Sequence, residues 1–158
     1  DSGIAYIGTG GGERARIFKS ETFGNSWKAL DTPMKSGGSY GIYTIFFWSE
    51  TSGMIAGGSY ENQKDTEKMC FVTNDGGLTW QERFSGLDGY VSCIKGTEDG
   101  KLIFAAGRNG VHYTKNHGEN WIKLWSEPYY SIANHGSIFV FSGKEGKLKV
   151  IDIQEVKI

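Results

Sequence analysis

Apolar and polar residues alternate along this chain in short runs of about four to eight, each run ending in glycine or small polar residues. No stretch carries apolar positions at helical spacing. The alternation predicts strands at residues 4–10, 15–21 and 26–31, then at 43–49, 53–59, 67–74 and 78–84. A third group follows at 90–96, 101–107, 110–116 and 120–125, and a fourth at 129–134, 137–143 and 147–153, with 154–158 as a candidate last strand. The grouping is by fours, and the first group starts late, without room for an innermost strand.

An internal repeat explains the grouping. Three segments share one eight-residue pattern: Ser20, Thr22, Gly24 and Trp27; Thr73, Asp75, Gly77 and Trp80; Thr114, Asn116, Gly118 and Trp121. The tryptophans fall 53 and 41 residues apart. A second column lies upstream at Gly10, Gly58, Gly107 and Gly143, each closing an apolar run. Chemically, the pattern reads as a hairpin. The hydroxyl and the Asp, Asn or Thr two residues later bond the amides of the turn, the glycine takes a backbone angle other residues resist, and the tryptophan opens the next strand. Each motif is therefore read as a structural clip between two antiparallel strands. The expectation is an all-β chain of four-stranded antiparallel units, the architecture of β-propeller blades, as one domain over 1–158 with blades near 1–32, 40–85, 88–126 and 128–158.

Composition narrows the function classes. The 158 residues carry 17 basic and 18 acidic side chains, a formal net charge of -1, which excludes the electrostatic footprint of a nucleic-acid or anionic-membrane binder. Glycine is abundant, 24 residues against two prolines, as tight turns between strands require. No apolar run approaches the ~20 residues of a membrane-spanning helix. No signal peptide is recognisable, and an opening at Asp1 rather than Met fits a processed or trimmed product. Cys70 and Cys93 lie in apolar strand-like runs several strands apart, so free buried thiols are expected.

The three motifs resemble the Asp-box of BNR-repeat proteins, a set that includes sialidases, sortilin-like receptors and several glycoside hydrolases. The segment around Phe46, Trp48 and Gly57, followed by the motif at Thr73–Trp80, is similar to the propellers of photosystem II stability and assembly factors and their bacterial relatives. The resemblance covers about residues 4–153 and implies a propeller; it implies little about activity, because unrelated functions share such repeats. It also implies export, hence an extracytoplasmic location. Members of the set usually have six to eight blades, so about four here imply a C-terminal part of a longer ring, a minimal array, or two chains completing each other.

In such a blade, the loops between second and third strands and the loops between blades share one rim, opposite the motif hairpins. Candidate binding residues on that rim are Arg14, Arg16, Tyr40, Tyr43, Tyr60, Asn62, Lys64, Asp65 and Arg108. Sialidase chemistry would need an arginine cluster for the substrate carboxylate, a tyrosine activated by a glutamate and an acid/base aspartate. Only four arginines exist, Arg14, Arg16, Arg83 and Arg108, and the arginine motif of sialidases is missing. Asp65, Glu67 and Glu13 are the carboxylates whose location would suit a glycosidase. His112 and His117, with His135 far away, lack a third ligand for zinc, and Cys70 has no histidine partner to activate it. Residues 8–16 share letters with a phosphate loop but lack its Lys-Ser/Thr ending and run into a strand rather than a helix. Trp48 and Trp125 stand outside the repeated column, either as core or as a stacking surface. No metal site and no cofactor are expected. The expected role is non-catalytic binding or scaffolding toward a protein or glycan; the alternatives are an extracytoplasmic glycoside hydrolase and a structural module of a larger protein.

Overall fold

The computed structural model of the chain describes residues 3–155. It contains fourteen strands in four antiparallel sheets among those residues. The first sheet is β1 (Ala5–Gly8), β2 (Arg16–Ser20) and β3 (Lys28–Asp31); the second is β4 (Tyr40–Phe47), β5 (Gly53–Ser59), β6 (Cys70–Thr73) and β7 (Gln81–Glu82). The third is β8 (Cys93–Gly96), β9 (Ile103–Gly107), β10 (Gly110–Thr114) and β11 (Ile122–Trp125), and the fourth is β12 (Ser131–His135), β13 (Ile138–Ser142) and β14 (Leu148–Asp152). Every sheet is a meander in chain order, and successive sheets pack face to face through their inner strands, β1 by β4, β4 by β8 and β8 by β12. This is the arrangement of successive propeller blades.

Strand lengths depart from the alternation where side chains or backbone angles interrupt the ladder. The strand expected at 67–74 is only Cys70–Thr73, because Lys68 takes a left-handed angle (φ 51°) and its carbonyl accepts the Lys35 amide instead. The strand expected at 78–84 shrinks to Gln81–Glu82, because Asp75 Oδ1 has captured the amides of Leu78 and Thr79 at 3.0 and 2.9 Å. Of the candidate last strand, Gln154 and Glu155 form a turn whose amides bond back to Asp152, and 156–158 lie outside the described residues.

The repeated motif forms the turn its chemistry dictates. Thr73 Oγ1 accepts the Gly77 amide at 2.9 Å, and the Asp75 carboxylate holds the next two amides and the Thr79 hydroxyl (2.5 Å). Those bonds, the Thr79 hydroxyl first, pull the Asp75 carboxyl down to about 2. Ser20 and Thr114 accept the amides of Gly24 and Gly118 in the same way, both at 2.9 Å. The residue before each glycine is also left-handed: Phe23 at φ 54°, Gly76 at 74° and His117 at 53°.

Three hydrophobic cores fill the three gaps between sheets. Ile17, Ile55 and Phe71 lie between the first and second; Met54, Val72, Ile94 and Ile103 between the second and third; Phe104, Val111, Phe139 and Phe141 between the third and fourth. Each sheet thus has a forward face toward its successor and a backward face toward its predecessor. The motif tryptophans point backward. Trp121 is buried against the second sheet and donates from Nε1 to the Arg83 carbonyl at 3.0 Å. Trp80 packs half-buried against the first sheet, its Nε1–H buried without an acceptor among the described residues. Trp27 is 40% exposed. Trp48 stacks on His117, and Trp125 packs on Tyr129 and Phe141, so both contribute to packing between or within blades. Cys70 and Cys93 are free thiols whose pKa values burial pushes up.

Candidate functional site

On one rim the loops after β1, β5 and β9 meet the connections that lead into β4 and β8. The glycine column belongs to this rim. A Cβ at Gly107 would lie 2.2 Å from the Tyr90 carbonyl oxygen, and one at Gly10 would lie 2.7 Å from Gly41 Cα. Inner strands and loops approach backbone to backbone here, which brings the rim side chains of neighbouring blades within reach of one another.

The predicted site residues fall into three groups. Arg14 and Arg16 converge on Asp31, with Nη1 3.0 Å and Nε 2.6 Å from its two carboxylate oxygens. Arg16, followed by Arg14, holds that carboxyl below its usual range. Both guanidinium groups are thereby engaged within the first blade.

The second group is a network between two rim loops. Lys35 Nζ lies 2.8 Å from Asp65 Oδ2 and 3.1 Å from Glu67 Oε2, and stands 4.5 Å over the Tyr40 ring. Tyr40 donates to Asp65 at 2.6 Å, and Asn62 donates to Tyr40 Oη at 3.3 Å. Lys35 and then Tyr40 pull Asp65 down to about 2, so this carboxyl is an anion at neutral pH. Beside the network, Tyr43 meets Tyr60 and Tyr90 edge-on at 6.2 and 5.0 Å. Burial raises Tyr43 and pushes Tyr90 up to about 12, the opposite of what activates a tyrosine as a nucleophile.

The third group surrounds an open groove of about 650 Å³ between the second and third blades, lined by Lys64, Thr66, Leu87, Asp88, Arg108, Asn109, Lys123 and Ser126. Asn109 fixes its floor by donating to the carbonyls of Gln63 (2.9 Å) and Asp88 (2.8 Å). Asp88 takes Lys123 at 2.6 Å and faces His112 Nε2 at 3.3 Å. Arg108 and Lys64 make no ion pair among the described residues, so two full positive charges face this groove uncompensated.

Sequence reasoning did not single out Lys35, Thr66, Asp88, Asn109 or Lys123, and weighed His112 only as a zinc ligand. Asp88 and Asn109 lie in loops assigned to the rim, so the location was available but the pairing was not. Lys35 had a signal, a lysine in one rim loop opposite the acidic 61–67 segment. Lys123 sits on a strand and had none.

His112 is 4% exposed, and desolvation, opposed by Asp88 and reinforced by Lys123, lowers its pKa. The unfolded chain then binds more protons than the folded one between the folded value and about 6.5, so stability is lost as pH falls through that window and is flat above it. Thermal melts of the wild type should therefore drop in Tm from pH 7.5 toward pH 5, and His112→Gln should flatten that segment. A variant with an unchanged slope would remove His112 as the cause.

No protein-family model matches the chain, and no curated protein matches it in sequence. Solved structures do. YCF48 bound to a D1 peptide superposes with TM-score 0.70 at 16% identity, over 96% of this chain and 48% of that one. The GH74 xyloglucanase from Xanthomonas campestris gives 0.67 at 13%, over 98% of this chain and 28% of that one, and YCF48 from Cyanidioschyzon merolae gives 0.61 at 17%, over 84% and 39%. The chain spans about half the length of the first and less of the others. At such identities the likeness concerns architecture. The four sheets, their order and these superpositions together identify the fold as a partial β-propeller of several blades.

Proposed function

We propose that the chain is a non-catalytic binding propeller that takes an extended, acidic protein segment in the groove between its second and third blades. The observation that carries this reading is the pair of uncompensated cations, Arg108 and Lys64, over a groove whose floor Asn109 fixes. A guanidinium offers bidentate pairing to a carboxylate, and the ammonium beside it adds a second anchor. Thr66, Ser126 and the Asn109 neighbourhood supply polar partners for a peptide backbone. One structurally similar protein, YCF48, has been solved with a D1 peptide bound. The hydrolase alternative is the weaker reading on local chemistry: Lys35 engages both Asp65 and Glu67, and Asp65 with a pKa of about 2 is poorly suited to donate a proton.

Fluorescence anisotropy with a labelled Glu- and Asp-rich peptide tests the reading, against a control peptide with Gln and Asn at those positions. Charge-assisted contacts are worth roughly 1.5–3 kcal/mol each, so Arg108→Ala is expected to weaken binding about tenfold or more, and Lys64→Ala to weaken it less. Lys101→Ala, in the hairpin on the opposite rim, should have no effect. Equal binding of the neutral peptide, or wild-type affinity in Arg108→Ala, would refute the assignment.

A further inference from the structure

His112 is a buried titratable side chain to which the anchoring of a ligand by Arg108 and Lys64 gives no role. It lies on β10 with its register partners Ala105 on β9 and Lys123 on β11, so the three side chains share the face of the third blade that packs on the second. The connection from the second blade sets Asp88 against this face. Asp88 Oδ1 is 3.3 Å from His112 Nε2, and Asp88 Oδ2 is 2.6 Å from Lys123 Nζ. A small cavity of about 10 Å³ beside the imidazole is lined in part by Leu87, Asp88 and Asn109, which also line the open groove, so His112 adjoins the groove floor. All of these groups belong to the second and third blades, each of which has a neighbouring blade on both sides.

The charges on this floor are arranged as a competition. Asp88 on the connection and Lys123 on β11 are the charged groups that act on the imidazole among the described residues, whereas β9 offers only Ala105. Arg108 and Lys64 face the same groove from the β9–β10 turn and from the loop after β5. Lys123 is a third cation in the groove lining, and Asp88 neutralises it from within the protein. While His112 is neutral, Asp88 and Lys123 cancel. Once His112 is protonated, the trio carries one net positive charge and the imidazolium competes with Lys123 for the same carboxylate. Burial favours the neutral imidazole, lowering its pKa against the pull of Asp88.

We infer that His112 makes the capture of an acidic segment proton-linked: a proton taken up from solvent engages Asp88 with the imidazolium and releases Lys123 as a third anchor for the ligand. The inference rests on the acidic-segment reading of this groove and names its regulation. By reciprocity, a carboxylate bound beside the trio favours the imidazolium, so binding takes up a proton. Affinity is flat at alkaline pH, rises as pH falls through the value His112 has in the complex, and levels off below the value it has in the free protein.

Anisotropy with the same labelled Glu- and Asp-rich peptide at pH 7.5 and 5.5, at constant ionic strength, tests the inference; the peptide carboxylates stay largely ionised over that range. Binding roughly three- to tenfold tighter at pH 5.5 is expected, the effect of one added charge near the ligand. Calorimetry in two buffers of different ionisation enthalpy should show proton uptake on binding. His112→Gln should remove the difference between the two pH values, and His117→Gln, in the hairpin on the opposite rim, should retain it. Asp88→Asn frees Lys123 without a proton and should bind more tightly than the wild type already at pH 7.5, by a similar factor. Circular dichroism at both pH values checks that each variant is folded, and if His112→Gln is not, Asp88→Asn decides. Equal wild-type affinity at both pH values would overturn the inference and leave the groove reading standing. So would a pH dependence that survives in folded His112→Gln, or an Asp88→Asn variant that binds no tighter at pH 7.5. No binding at either pH would refute the groove reading, and this inference with it.

Discussion

Replacing Trp121 by alanine lowers the unfolding free energy by about 3–5 kcal/mol, the range for truncating a buried tryptophan, whereas Trp27→Ala costs less than about 1 kcal/mol within a single chain. The two residues hold the same place in the same motif. They differ in what lies behind them. Trp121 is buried, packs into the core between the second and third blades, and donates to the Arg83 carbonyl, which its removal leaves unsatisfied. Trp27 is 40% exposed and its indole N–H donates to Gly24 in its own turn, so alanine there opens no cavity. Urea denaturation of the two variants beside the wild type measures both. Equal losses would mean that the tryptophan stabilises its own hairpin rather than the contact between blades.

Gly107→Ala is the second large effect, a loss of about 3 kcal/mol or more. Added methyl groups in cores usually meet side chains that yield, but a Cβ at Gly107 meets the Tyr90 carbonyl oxygen at 2.2 Å. Moving that oxygen displaces the connection into β8 and with it the Tyr90 ring, which is edge-on to Tyr43. The control is Gly12→Ala in the rim loop after β1, where nothing lies within 4 Å of the added carbon. There the substitution restricts only the unfolded chain and should leave stability unchanged or raise it by about 0.4–1 kcal/mol. Thermal melts decide between the two, and similar Tm values for both variants would show that the backbones part easily at the rim.

Most of the strand order was legible because a hairpin is a local object. The motif at Thr73–Trp80 contains its own donors, acceptors and left-handed glycine, and it forms the same turn in all three places. Errors came where a distant group competed for the backbone. Lys35 takes the Lys68 carbonyl from across a loop and delays the start of β6 to Cys70, and no window of sequence around Lys68 contains that information. The candidate site was legible by location and not by state. Arg14 and Arg108 looked alike as rim arginines, yet Arg14 is engaged by Asp31 whereas Arg108 has no ion-pair partner among the described residues.

By itself, the sequence determined an all-β chain, the repeat, the turn chemistry and the rim on which loops gather, because each depends on contacts a few residues apart. Only the tertiary structure decided which rim charges are neutralised and which motif tryptophan is buried. Those outcomes depend on pairs such as Lys35 with Asp65, Asp88 with Lys123 and Trp121 with Arg83, 30, 35 and 38 residues apart. The packing of one blade on the next selects such pairs, and no local preference encodes that choice.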